Sequence, residues 1–137
     1  MNWNGKRVLV TGAGGFIGGH LTERLVRLGA DVTALIRYNS RGENGSLKFL
    51  PEDILSQVKV EMGDLKDPGA MSKIVRKKEM VFHLAALIGI PYSYVNPIDY
   101  VQTNVVGTSY LLNASLNENV EKFVSTSTSE VYGTAKY

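Results

Sequence analysis

Apolar residues follow two alternating rhythms along this chain. Arg7 to Thr11, Asp31 to Ile36, Val58 to Met62, Met80 to Leu84 and Lys122 to Thr126 are short runs, dense in Val, Leu, Ile, Met and Phe. Such runs, bounded by turn residues, predict strands buried on both faces. Between them apolar positions recur at helical spacing. Ile17, Leu21, Leu25 and Leu28 predict a helix from Phe16 to Leu28, stopped by Gly29. Pro68 to Lys77 reads as a modest helix with Met71, Ile74 and Val75 inward. Pro97 to Asn117 reads as one long helix. One face carries Val101, Val105, Thr108 and Leu112; beside it run Asn104, Gly107, Leu111 and Ala114. Pro51 to Ser56 predicts a short helix begun by its proline. Arg37 to Leu50 is polar and glycine-bearing, and Ala85 to Asn96 carries two tyrosines; both predict loops.

Strands alternating with helices give repeated βαβ units, hence an α/β fold with a parallel sheet covered on both faces. Right-handed winding gives the expected strand order 3-2-1-4-5. The length of 137 residues suits one domain. A net charge of +2 is too mild to imply nucleic acid or an anionic membrane as partner. The run Arg76-Lys77-Lys78 suits a solvated helix end. The absence of cysteine excludes disulfides, thiolate catalysis and cysteine-ligated metal, and fits a reducing compartment. The N-terminus lacks an apolar signal-peptide core, and the longest apolar stretch, Met80 to Ile90, is too short to span a bilayer. The expected setting is the cytoplasm.

Candidate chemistry begins at Val8 to Leu21, VLVTGAGGFIGGHL. Gly12, Gly15 and Gly18 stand between a strand and a helix. A helix N-terminus offers unpaired N–H groups and partial positive charge, which attract phosphate. Gly12 suits a tight turn, Gly15 a close approach of ligand to backbone, and Gly18 close packing of helix on strand. The spacing is Gly-x2-Gly-x2-Gly, and its place at the start of a βαβ unit gives the motif its meaning. A glycine-rich turn with no ligand is the alternative.

Thr11 to Gly18 resembles the cofactor loop of the extended short-chain dehydrogenases/reductases. Gly63-Asp64-Leu65, Phe82 to Ala86, Thr103 to Thr108 and Ser127 to Gly133 resemble the same family, so the likeness covers nearly the whole chain. It implies the N-terminal, NAD(P)-binding Rossmann part, residues 1–137, of a nucleotide-sugar epimerase or dehydratase, ending after the fifth strand. It also implies cofactor contacts from Gly12, Gly15, Phe16, Ile17 and Gly18, from Asp64 and Leu65 beside the adenine, and from Leu84, Ala85 and Ala86 near the ribose. A turn residue closing a strand is the alternative reading of Asp64.

An acid at the end of the second strand would bind a ribose 2′-hydroxyl, but Arg37 stands there. A guanidinium grips a 2′-phosphate, and Asn39, Ser40 and Arg41 add donors, so NADP is expected over NAD.

Thr128, Ser129 and Glu130 follow the fifth strand, at the sheet edge where open α/β folds bind ligands. Alone they read as a polar turn. Sugar-nucleotide 4,6-dehydratases resemble this stretch with Thr-Asp-Glu or Thr-Ser-Glu, whereas 4-epimerases carry a small residue in place of Glu130. The implied reaction, a lyase chemistry, moves hydride from sugar C4 to the nicotinamide, loses water across C5 and C6, and returns hydride to C6. By resemblance Glu130 serves the water loss as base and acid, and Thr128 bonds the 4-hydroxyl. Ser129 stands where many dehydratases carry Asp, which leaves the acid's identity open. A 4-epimerase and a dinucleotide-binding module without catalysis are the alternatives.

Tyr132 and Lys136 have the Tyr-x3-Lys spacing of the family's catalytic pair, but Gly133 and the preceding strand deny them a helix, so the match is read as coincidence. In the family that pair lies on a later helix. If residue 137 is the true end, the chain is expected to be inactive alone. Its fifth strand then forms an open edge, and its long helix exposes apolar surface, so self-association is expected. His83 reads as buried structure, and His20 as a packing or capping residue. Asn104 either orders water near the nicotinamide or bonds backbone. Tyr92, Ser93 and Tyr94 read as a packed loop.

Overall fold

The computed structural model describes residues 2–38 and 43–134. Five strands form one parallel sheet in the order β3-β2-β1-β4-β5. They are β1 (Arg7–Thr11), β2 (Asp31–Ile36), β3 (Lys59–Met62), β4 (Met80–His83) and β5 (Lys122–Ser125). β1 is central, with Val8 opposite Val32 on one side and Met80 on the other. Alternating side chains divide the core in two. Val8, Val10, Val32, Ala34 and Ile36 pack with Leu25 and Val26 of α1 (Phe16–Arg27) and Ile54 of α2 (Glu52–Leu55). Leu9, Leu35 and Val81 pack on the opposite face with Met71 and Val75, and with Leu111 and Ala114. Met71 belongs to α3 (Pro68–Ile74), and Val75 caps its C-terminus. Helices on both faces of a parallel sheet make the doubly wound architecture, and the order reversal between β1 and β4 opens a crevice at the strands' carboxyl ends.

Local chemistry sets the helix limits. Gly29, at φ +88°, ends α1. Its N–H donates to Val26, and that of Ala30 to Leu25, the paired bonds of a glycine-terminated helix. The Asp67 carboxylate starts α3 by accepting from the N–H groups of Gly69 and Ala70 at 2.9 and 3.0 Å. Charges gather at the far end of the sheet, where Lys6 pairs with Glu121 at 2.7 Å and Arg7 with Glu79 at 3.1 Å.

Four stretches differ from the sequence-based expectation. Within the expected loop 37–50, Gly45–Phe49 forms a 3-10 turn that buries only Leu47. Within the expected loop 85–96, Ile90–Val95 forms α4, which buries none of its residues. The long helix from Pro97 is not uniform. It opens as α5 (Pro97–Tyr100), widens to a π-helix over Val101–Gly107, and continues as α6 (Thr108–Asn117). Gly107 sits against Leu65, whose Cβ would lie 2.7 Å from any Cβ placed there. The face that meets the sheet is Gly107, Leu111, Ala114 and Ser115, leaving Val101, Val105, Leu112 and Leu116 exposed. α3 ends earlier than expected, at Ile74, followed by Lys77 at φ +60°.

Candidate functional site

The crevice at the carboxyl ends of the strands is a cleft of about 660 Å³, within the size range of small-molecule and cofactor sites. Its centre is the turn from β1 into α1. Gly12 takes φ +69°, and a Cβ there would come within 2.7 Å of the Ala85 nitrogen. Gly18, on the first turn of α1, leaves no room either, because a Cβ would overlap the Gly12 carbonyl oxygen. Gly15 differs: apart from the Gly12 oxygen at 3.2 Å, nothing lies near its Cβ position, and it lines the cleft. Among the described residues no side chain caps α1, and no acid sits in its first turn. The helix N-terminus therefore keeps its positive end for whatever enters the cleft.

Most of the residues singled out in the sequence line this cleft: Gly12, Gly15, Phe16, Ile17, Gly18, Arg37, Asp64, Leu65, Leu84, Ala85 and Ala86. Asn39, Ser40, Arg41 and Lys136 lie outside the described residues. Asn104 does not line the cleft. Its amide holds the backbone of Leu87, accepting from the N–H and donating to the carbonyl, each at 2.8 Å. The neighbouring Thr103 lines the cleft instead. Thr128, Ser129 and Glu130 do not line the cleft; they follow its lining residue Thr126 in the chain, with Thr128 capping an exposed 3-10 turn that carries Ser129 and Glu130, and the Thr128 hydroxyl oxygen accepts from the Glu130 N–H at 3.3 Å. His20 is exposed and meets the edge of Phe16. The Tyr92 hydroxyl bonds Asp99, Ser93 bonds the Ile90 carbonyl, and Tyr94 is exposed.

Sequence reasoning missed one wall. Glu43, Asn44 and Gly45 line the cleft, and the Ser46 N–H donates to the Gly14 carbonyl at 2.7 Å. A Cβ on Gly45, at φ +60°, would overlap that same carbonyl. The only sequence signal was a glycine at position 14 that the motif does not require.

At the β2 end, Asp64 closes a local turn by accepting from the Lys66 N–H at 2.9 Å. Lys66 Nζ bonds Asp99 at 2.8 Å. That hydrogen bond raises the Lys66 ammonium and, with help from the Tyr92 hydroxyl, holds the Asp99 carboxyl below the usual range. Arg37 lies near enough for its charge to act on both. Among the described residues no cluster of His, Asp and Glu could hold a metal, and no helix is long and apolar enough to cross a membrane.

Comparison with known proteins gives consistent neighbours. A family model described as GDP-mannose 4,6 dehydratase matches residues 9–137. A UDP-N-acetyl-alpha-D-glucosaminuronate decarboxylase of Bacillus cytotoxicus is 36% identical over 128 residues, covering 93% of this chain and 38% of its own length. The structure of DesIV, a dTDP-glucose 4,6-dehydratase from Streptomyces venezuelae with NAD and TYD bound, superposes with a TM-score of 0.83 at 31% identity, over 96% of this chain and 42% of DesIV. A UDP-N-acetylglucosamine 4-epimerase from Methanobrevibacter ruminantium, in complex with UDP-N-acetylmuramic acid, gives 0.82 at 34% identity, over 96% of this chain and 41% of that one. The chain thus spans about two-fifths of the length of the relatives it matches.

Proposed function

The chain belongs to the GDP-mannose 4,6-dehydratase family, and from that premise we propose that it is the dinucleotide-binding part of a nucleotide-sugar 4,6-dehydratase, with NADP as its preferred cofactor. One observation carries the reading: the uncapped N-terminus of α1, reached through glycines that admit no Cβ, opens into a cleft of cofactor size. The residues fit a dinucleotide. Gly15 offers bare main chain to a pyrophosphate, Leu65 and Ala85 offer apolar walls, and Arg37 offers a cation for a 2′-phosphate. A nicotinamide held there would supply the hydride acceptor for sugar C4 and the hydride donor for C6. This chain's own contribution is to hold that group on the glycine turn and to present Thr128 and Glu130 beside the cleft. Glu130 favours dehydration over 4-epimerisation, because only water loss needs a proton acceptor and donor at C5 and C6.

Calorimetric titration of the chain with NADP+ and NAD+ tests the binding reading. NADP+ is expected to bind more tightly. Arg37→Ala is expected to weaken NADP+ by about 10- to 100-fold, the loss of a charge-assisted contact of about 1.5–3 kcal/mol, and to leave NAD+ unchanged. Equal affinity for the two before and after the substitution would refute the NADP preference, and no uptake of either would refute the function.

Exposed Val101, Val105, Leu112 and Leu116 form an apolar stripe along the π-helix and α6, and support self-association of the chain. Light scattering is expected to show a mass that rises with concentration; a constant monomer mass up to high concentration contradicts this.

A further inference from the structure

His83, at the end of β4, is 4% exposed and bonded through both ring nitrogens. Nδ1 meets the Thr11 hydroxyl at 2.8 Å, and Nε2 meets the Thr108 hydroxyl at 2.9 Å. Thr11 is fully buried, and its hydroxyl oxygen accepts from the N–H groups of Leu84 and Ala85, each at 3.2 Å, the Leu84 N–H being shared with the Thr11 carbonyl at 3.3 Å. A hydroxyl has one proton and two lone pairs. Both lone pairs are taken by amides, so the Thr11 proton goes to His83. Nδ1 is therefore the acceptor, and the ring proton sits on Nε2, donated to Thr108. Leu84 and Ala85 are wall residues of the cleft, and Ala85 is the backbone that crowds Gly12.

We propose that His83 is a positioning residue for the cofactor cleft: as the neutral Nε2–H tautomer it takes the Thr11 proton and thereby turns both Thr11 lone pairs onto the Leu84 and Ala85 amides. Protonation at Nδ1 sets two protons head to head. Thr11 must then rotate, and the cost falls on the Ala85 amide, since that of Leu84 keeps the Thr11 carbonyl. The inference rests on the proposed binding of a dinucleotide in this cleft.

The ring's neighbours are Thr11 from β1, Thr108 from α6 and Phe123 from β5, none of which titrates near neutrality. Burial is the cause that lowers the His83 pKa below the ordinary 6.5. The sign follows. A depressed folded value means the unfolded chain takes the proton first, so stability is full above about pH 6.5 and declines as pH falls through the folded value.

The test is nitrogen NMR of the His83 ring in the full chain, joined to dinucleotide titration against pH. The Nε2–H tautomer is expected at neutral pH, with affinity falling about tenfold as the ring protonates. Thr11→Ser is expected to preserve both. Thr11→Val is expected to cost about tenfold in affinity and to move the His83 titration upward. An Nδ1–H tautomer at neutral pH, or a Thr11→Val chain with unchanged affinity, overturns the proposal. Should no dinucleotide bind at any pH, the functional reading fails, while the tautomer and the His83 response to Thr11→Val still decide this role.

Discussion

Gly12→Ala is expected to abolish dinucleotide uptake and to destabilise the chain by about 2–5 kcal/mol, whereas Gly5→Ala costs only about 1–2 kcal/mol and leaves binding intact. The pair is informative because both glycines hold almost the same backbone angle, φ +69° and +71°. An L side chain pays the left-handed penalty at either position. Their surroundings differ. Gly5 has nothing within 4 Å of its Cβ position, while at Gly12 the Ala85 nitrogen lies at 2.7 Å and the Ala85 Cα at 2.9 Å. Backbone cannot swing aside as a flexible side chain can, so the new methyl pushes the wall of the cleft or the glycine turn itself. Either shift displaces the surface on which a pyrophosphate would lie. Urea unfolding separates the stability terms, and calorimetry under conditions that keep both variants folded separates the binding. A folded Gly12→Ala chain that takes up dinucleotide normally would remove the glycine turn from the site.

That comparison also shows why the sequence was readable where it was. The places of Gly15 and Gly18 follow from local geometry between one strand and the next helix, which spacing along the chain encodes directly; Gly12 was legible through its turn, although the backbone that crowds it is that of the distant Ala85. β1, β2 and β4 were legible for a related reason, since burial on both faces leaves dense apolar runs; the edge strands β3 and β5 are largely exposed, against the expectation of burial on both faces, and it is the βαβ alternation that places them and leaves few strand orders open. The missed elements bury little. α4 buries nothing, and the 3-10 turn at Gly45–Phe49 buries only Leu47, so neither leaves an apolar rhythm to detect.

Long-range backbone contacts were illegible for another reason. Gly14 and Gly45 are remote in sequence, yet the chain between β2 and β3 returns to lay Gly45 against the Gly14 carbonyl and so builds one side of the cleft. Gly107 meeting Leu65 beside a π-helical turn is a similar case. In both, a glycine is needed because of something far away, and a single sequence shows only the glycine. Asn104 illustrates the converse. Two readings were open, and the structure shows the backbone bond to Leu87 that the second required.

Glu130→Gln is expected to slow water loss by about 10²- to 10⁴-fold in a form of this protein that turns over a nucleotide sugar, while oxidation at C4 persists. Once C4 is a ketone, the C5 proton is acidic. A carboxylate takes it, the C5–H electrons form the C5–C6 double bond, and the C6–O bond breaks as its oxygen receives a proton and leaves as water. One carboxyl can serve both transfers in turn, and an amide can serve neither. Thr128 complements it: its oxygen already accepts from the Glu130 N–H, so its hydroxyl proton remains to bond the sugar's 4-oxygen. Ser129, between them, carries no acid, so the proposed role assigns both proton transfers to Glu130. The decisive readout is a split between two signals. Reduced-nicotinamide absorbance should rise and persist in the variant, while the 4-keto-6-deoxy product, followed by mass, nearly stops. If product forms at the unsubstituted rate, Glu130 is not the acid–base group, and the argument that favours dehydration over 4-epimerisation goes with it.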